Sequence, residues 1–245
     1  MSDVYGVRPV LEALRDPHRV VRIQLAAGRG AALQRVERAA AAAGVRIDTV
    51  PRAALDRRAG PEARHQGVLA ELREAAVGPI DLQALLDRLA GVEDAIVVLL
   101  DGIQDPGNLG AIIRSAHALG ADGVIVPRER SAPLNAAAIK SSAGAALHLP
   151  VASVGNLKHA LEPLAAQGFW IAAASMDGDP APRVDLTGRL ALVVGGEHRG
   201  VRPSLARRCD HRVAIPIRGD FDSLNASVAA GILLYEARRQ RDQKS

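Results

Sequence analysis

Apolar and polar positions along this chain follow two periods, and they trade places often. In the first part, VRPVLEALR has the three-and-four spacing of a short amphipathic helix, VRIQLAA reads as a strand, and ALQRVERAAAAAG as a helix stopped at Gly44. RIDTV then predicts a strand, RAALDRRAG a short helix and GVLAELR a strand, so residues 1–75 form a compact α/β unit. Residues 76–92, with Gly-Pro near their start and one helical stretch, read as a linker. From residue 93 to 245 the strands change character. AIVVLL is a continuous apolar run, as expected of a strand buried on both faces, and DGVIVP, FWIAAAS, LALVVGG and HRVAIPI repeat it. Helical patterns lie between them at LGAIIRSAHALG, LNAAAIKSSAG and NLKHALEPLAAQG, and a long helix runs to about Arg241. Strands alternating with helices predict an α/β fold with a parallel sheet covered on both faces.

Ligands of such sheets bind beyond the carboxyl ends of the strands, which singles out three loops. In LLDGIQDPGNLGAIIRSA, Asn108 stands where it can cap the following helix, and Arg114 falls six residues later, so the two need not share a face. If that helix start faces a cleft, its free N–H groups favour an anion; otherwise this is a strand–turn–helix connection with a surface arginine. In LVVGGEHRGV, Gly195 and Gly196 permit close backbone approach by a ligand. The loop is not G-x-G-x-x-G and lacks the acidic residue of a dinucleotide fingerprint. Glu197 either faces the cleft or is solvated. In IPIRGDFDSLNASVAAGI, Ser223, Asn225 and Ser227 precede a helix that carries no charge before Glu236. One helix needs one N-cap, so three polar groups exceed the requirement. A helix apolar on every side is expected to be buried, in part against another subunit.

Composition narrows the classes. No run approaches the roughly 18 apolar residues of a membrane span, and MSDVYGVRPV lacks the apolar core of a signal peptide, so a cytoplasmic protein is expected. Cys209 is the single cysteine, which excludes an internal disulfide and a cysteine-rich zinc site. His117, His198 and His211 share no ligand spacing, and no metal is expected. The net charge of +4 resides in residues 1–75, where thirteen Arg face nine Asp and Glu. Arginine forks suit phosphate, although an arginine-rich genome gives the same count. Tyr5, Phe169, Trp170, Phe221 and Tyr235 are the aromatics, too few for a single-strand stacking platform.

NLGAIIRSAHALGADGVIV, LALVVGGEHRGV and IPIRGDFDSLNASVAAGILLYEA closely resemble the three signature motifs of the SpoU class of SPOUT RNA 2′-O-ribose methyltransferases. RSAPLNAAAIKSSAGA between the first two also matches, and YGVRPVLEAL and HQGVLAEL look like the L30e-like substrate-binding domain of the 23S rRNA guanosine enzymes. The match departs at Arg8, where many relatives carry His, and at His198-Arg199, which replace a smaller pair. The resemblance implies a deep trefoil knot in the C-terminal part, a rare exception to ordinary topology. It implies S-adenosylmethionine held by Gly195, Ile215 and Leu224, with Gly196 and Gly219 beside them. It implies a catalytic set of Asn108, Arg114, Glu197 and Asn225 with Ser223 close by, and a homodimer through the C-terminal domain with composite active sites. No metal is implied, because methyl transfer from a sulfonium requires no Lewis acid.

The resemblance implies 2′-O-methylation of a guanosine in the peptidyl-transferase region of 23S rRNA. The same chemistry on tRNA, or on another rRNA nucleotide of the antibiotic-resistance type, and a non-catalytic RNA-binding assembly factor are the alternatives. Arg114 is often given the role of base; a guanidinium with a pKa above about 12 stays protonated, so a phosphate clamp suits it better.

Overall fold

The computed structural model of the chain describes residues 2–28, 30–60, 63–73, 78–197, 199–218 and 223–244. Its first unit runs β1 (Ser2–Tyr5), α1 (Val7–Ala13), β2 (Val20–Ala26), α2 (Ala31–Ala42), β3 (Ile47–Val50), α3 (Arg52–Ala59) and β4 (Val68–Leu72). The sheet order is β1-β4-β2-β3, with β2 and β3 parallel and the other pairs antiparallel. β1 is absent from the sequence reading because Ser2–Tyr5 opens on two polar residues and holds no apolar run. β4 explains it: all five of its residues are buried, so its backbone needs a partner on each edge, and β1 supplies one. The apparent misfit in β4 is Glu71, 4% exposed. Arg22 and Arg58 each donate to it at 2.8 Å, and they hold its carboxyl below the usual carboxylate range against the opposing pull of burial.

The second unit runs α4 (Leu82–Leu89), β5 (Ile96–Asp101), α5 (Pro106–Ala118), β6 (Gly123–Pro127), α6 (Ala136–Ser141), β7 (Val151–Val154), α7 (Lys158–Ala166), β8 (Trp170–Pro180), β9 (Leu190–Gly195), α8 (Pro203–Ala206), β10 (His211–Ala214) and α9 (Ala226–Lys244). Six strands pair in the order β10-β8-β9-β5-β6-β7, all parallel. Alternation along β5 feeds two cores. Ile96, Val98 and Leu100 join Ile112, Ile113, Leu233 and Leu234 of α5 and α9. Val97 and Leu99 join Leu85, Leu89, Leu161 and Leu164 of α4 and α7. Burying each such side chain contributes roughly 1.5–3 kcal/mol, and both faces of the sheet are covered as the apolar runs predict.

The stretch expected to be a linker is built into this second unit from Ile80 onward. Ile80 pairs in parallel fashion with Ala152, and Leu85, Leu86 and Leu89 of α4 are buried against the sheet. The two units also meet directly: Ile139 of α6 and Leu147, just after it, belong to the core of the first unit. Gly144, at φ +93°, leaves room for Glu12, whose Cβ lies 2.6 Å from where a Gly144 side chain would begin. Among the described residues no helix is long and apolar enough to cross a membrane.

Candidate active site

The first loop begins with Asp105, not Asn108, as the cap of α5: its Oδ2 accepts from the Asn108 amide at 2.6 Å. Pro106 suits the first helical position, where no N–H is needed. Gly107 then lets the capping carboxylate fold close, since a Cβ there would lie 2.7 Å from Asp105 Oδ2. With capping assigned to Asp105, the Asn108 side chain is released towards the strand ends.

There it meets the other two loops. Asn108 Nδ2 donates to Glu197 Oε1 at 3.0 Å, and Asn225 Nδ2 donates both to Asn108 Oδ1 at 3.1 Å and to the same Glu197 oxygen. Asn225 Oδ1 is engaged on the helix side, accepting from the amides of Ser227 at 2.9 Å and Val228 at 3.4 Å and from the Ser227 hydroxyl at 2.6 Å. One asparagine therefore caps α9 and directs two donors at the cluster, which fixes the orientation of its amide. Ser227 serves the cap, and Ser223 lines the adjoining cleft. The three polar residues at the helix mouth thus have three uses.

Gly195 and Gly196 are required by the packing of the chain itself. A Cβ on Gly195 would lie 1.9 Å from the carbonyl carbon of Gly200, and one on Gly196 would lie 2.6 Å from the Gly102 oxygen. The close approach they permit is by the chain's own backbone. The loop doubles back, with Gly200 N donating to Gly196 O at 2.9 Å, and is anchored by Asp101. That carboxylate, 3% exposed, accepts from Arg202 N and Nε at 2.8 Å. Neither Asp101 nor Arg202 was singled out from sequence; an acid closing an otherwise apolar strand was the available signal.

A cleft of about 460 Å³ opens beside this loop, within the range of small-molecule sites. Gly195, Gly196, Glu197, Ile215, Ser223 and Leu224 line it. Gly219 lies outside the described residues. Ser175, Met176 and Asp177 complete the rim and were missed: Ser175 ends the apolar run that reads as a strand, and Met176 and Asp177 lie past it. β8 pairs through Ala173, bulges, and resumes pairing with β10 at Asp179, so these residues leave the ladder and overhang the cleft. The Ser175 hydroxyl, and after it Arg212, hold the Asp177 carboxyl below the usual range. Arg114 stands apart from the cluster. Its side chain is exposed, with no hydrogen bond or ion pair among the described residues. Within a single chain Glu197 and Asn225 hold Asn108, not Arg114. Six residues along a helix turn about 600°, which places Arg114 and Asn108 on different faces. Among the described residues no group of His, Cys, Asp and Glu is arranged to hold a metal.

A six-stranded parallel sheet with a nucleoside-sized cleft beyond its strand ends and a polar cluster at the rim is the arrangement of a cofactor-binding α/β enzyme. The chain belongs to the SpoU rRNA methylase family, whose pattern it matches over residues 95–235. Residues 4–77 match the RNA 2′-O ribose methyltransferase substrate-binding domain. It is 40% identical over 242 residues to the 23S rRNA (guanosine-2′-O-)-methyltransferase RlmB of Xanthomonas axonopodis pv. citri, covering 97% of this chain and 96% of that one. It is 41% identical over 246 residues to RlmB of Pectobacterium atrosepticum, covering 98% and 99%. The SpoU methyltransferase AviRb of Streptomyces viridochromogenes, solved in complex with AdoMet, superposes with a TM-score of 0.79 at 29% identity, covering 98% of this chain and 90% of that one.

Proposed function

We propose that this chain transfers a methyl group from S-adenosylmethionine to the ribose 2′-oxygen of a guanosine in 23S rRNA, acting in the cytoplasm. The observation that carries the reading is the meeting of Asn108, Glu197 and Asn225 at the rim of the Gly195–Leu224 cleft. The substrate follows from the full-length similarity to the RlmB enzymes, substrate-binding domain included. Residues 1–75 hold the RNA and residues 93–245 carry the chemistry, with 76–92 joining them and, from Ile80 onward, packing on the second unit.

The cleft suits the cofactor. Val194, Val213, Ile215 and Leu224 supply an apolar lining for a thioether and a purine, while Glu197 and Asp177 place negative charge near a sulfonium. When bound, S-adenosylmethionine supplies an electrophilic methyl group. The ribose oxygen forms the new C–O bond as the S–C bond breaks, and the hydroxyl proton must leave. Glu197 Oε1 is occupied by two amide donors, while Oε2 has no partner among the described residues and is free to accept from the hydroxyl. Asn108 and Asn225 hold that carboxylate in place, so its position is set before substrate arrives. Arg114 clamps the phosphate beside the ribose, because its guanidinium stays protonated and forks onto phosphate oxygens.

In one chain Arg114 is too far round α5 to join the cluster, and a homodimer with composite sites resolves this. The exposed face of α9 supports it: Val228, Ile232 and Tyr235 are 48%, 39% and 60% exposed along one stripe. Gly231, between the first two, lies against Ser115, the neighbour of Arg114. A second copy covering this stripe brings Arg114 to the other chain's cleft. The family reading also threads the C-terminal part as a trefoil knot.

The test is transfer of labelled methyl to unmodified 23S rRNA and bulk tRNA in parallel, with Asn225→Ala as control and mapping of the product. Label on one 23S guanosine, lost in the control, is expected. Label on tRNA alone overturns the substrate, and label in neither with the cofactor bound overturns the activity on free RNA. Ile232→Asp is expected to give a monomer by light scattering, with activity lost; an active monomer refutes the composite site.

A further inference from the structure

A second cavity, of about 330 Å³, opens at the seam between the two units. His18, Arg19 and Arg73 line it from the first unit, Arg88 from α4, and Leu147 and His148 from the segment between α6 and β7. No aspartate or glutamate is among its described lining residues, so three arginines border one hollow without an acid in its wall. Backbone and side-chain contacts fix two of them. Arg19 Nε donates to Asp16 Oδ2 at 2.6 Å, and Arg19 Nη1 donates across the seam to the Leu147 carbonyl. Arg73 N donates to the Arg19 carbonyl at 2.9 Å, and Arg73 Nε to the His18 carbonyl at 2.9 Å. These bonds use part of each guanidinium and leave Arg19 Nη2 and both Nη groups of Arg73 without a partner among the described residues. Arg88 is exposed on α4, whose Leu85, Leu86 and Leu89 are buried, and it has no hydrogen bond or ion pair among the described residues. Asp16 offsets one of the three charges. Glu12, outside the wall, lies 3.3 Å from His148 Nε2. Like charges around one concave wall raise the local potential and draw an anion in.

The cavity is separate from the reaction cleft. Val151, in its wall, opens β7, so the hollow lies at the amino ends of the parallel strands. Asn108 and Glu197 follow the carboxyl ends of β5 and β9. Two of its walls are anchored. Ile80 N donates to the Val151 carbonyl at 2.9 Å and Ser153 N to the Ile80 carbonyl at 2.9 Å, while Leu147 is buried in the core of the first unit. Because Arg19 and Arg73 come from one unit and Arg88 from the other, the site is complete only when the two are docked. Guanidinium forks match the oxygens of a phosphate, and the unit that supplies two of them matches an RNA substrate-binding domain.

We propose that the seam cavity bounded by Arg19, Arg73 and Arg88 binds one backbone phosphate of the RNA substrate, at the opposite end of the sheet from the ribose that is methylated. The inference rests on the RNA methyltransferase reading and adds to it a contact outside the cofactor cleft. A phosphate contact reads no base and fixes position. Structured RNA is recognised largely by shape, and two holds at opposite ends of one sheet test the separation of two points on a folded RNA. An RNA that presents the right nucleotide in a different fold satisfies one hold and misses the other.

The experiment uses the full chain and an unmodified 23S rRNA transcript, with Arg88→Gln, Arg73→Gln, the two combined, Arg88→Lys and, as control, Lys244→Gln near the end of α9. Binding by filter retention is followed against salt, together with Tm and the cofactor Kd. Each single neutralising variant is expected to weaken RNA binding about tenfold at physiological salt and to lower the slope of log affinity against log salt by about 0.7–0.9, the share of one phosphate. The combined variant should lower the slope no further, because both arginines serve the same phosphate. Arg88→Lys should keep the slope. Arg88 makes no contact that folding needs, so Arg88→Gln should match the wild type in Tm and cofactor Kd. An unchanged slope in the neutralising variants overturns the site, and so does an equal fall in the control, which would make the effect one of overall charge. A fall of two shares in the combined variant overturns the single phosphate. Inorganic phosphate, added without RNA, tests the other source: a rise in Tm that the combined variant loses, with the RNA slope unchanged, makes this a site for a free anion and overturns the RNA contact. The slope is read whether or not methyl is transferred, so failure of the methylation reading and failure of this site give different results.

Discussion

Asn225 performs two tasks through two ends of one amide, and a pair of substitutions separates them. Asn225→Ser keeps a good capping oxygen for the amides of Ser227 and Val228 but removes the Nδ2 donors to Glu197 and Asn108. Asn225→Ala removes both. Loss of an N-cap costs about 1 kcal/mol, and for a chain of this size each kcal/mol moves Tm by roughly 2–4 °C. The alanine variant should therefore melt a few degrees lower, while the serine variant stays within about 1–2 °C of the wild type. The donors to a carboxylate are worth about 1.5–3 kcal/mol. At about 1.36 kcal/mol per tenfold, both variants should lose roughly 10- to 150-fold in kcat, with cofactor affinity changed little. Differential scanning fluorimetry and single-turnover methyl transfer read the two effects. A serine variant within threefold of wild-type kcat would refute the reasoning, because the amide would then serve the helix alone.

Three further outcomes follow from the packing and the titrating groups. Gly195→Ala should lose cofactor binding by calorimetry and lower Tm, because backbone atoms 1.9 Å from the new Cβ cannot give way; Gly28→Ala, with nothing within 4 Å, should do neither, and a binding-competent Gly195→Ala would sink the account. The Cys209 thiol is pushed up to about 11, by burial first and then by Asp210, so at pH 8 a disulfide reagent should label the native chain at least about a hundredfold more slowly than the unfolded chain. Asp185 is held at about 2, first by the Thr187 hydroxyl, then by the Thr187 amide and Lys244. Its folded pKa lies below the ordinary carboxylate value, so its contribution is present above about pH 4 and is lost as pH falls towards 2. Asp185→Asn should flatten the fall of Tm over that window, and an unaltered acid limb would disprove the coupling.

The alternation of apolar runs and helical spacings was sufficient for the α/β fold and for nearly every strand and helix, because burial on both faces of a parallel sheet writes a continuous apolar run into the chain. Asn108, Glu197, Asn225 and the paired glycines were legible from their places just beyond such runs. Which residues touch was not. That Asp105 caps α5 and that Gly195 lies against Gly200 are matters of local backbone geometry, and that Asn108 meets Glu197 and Asn225 depends on contacts between segments far apart in sequence. β1 and β7 escaped because neither Ser2–Tyr5 nor Val151–Val154 holds a long apolar run, and Met176 and Asp177 because they lie past the run that ends at Ser175, where only the pairing with β10 shows the strand continuing. Arg114 marks the last boundary: its helix position follows from counting, but the direction it faces, away from the cluster, was settled by the packing of α5 against α9. A linear pattern records how much each residue is buried, and only the folded chain records what it is buried against.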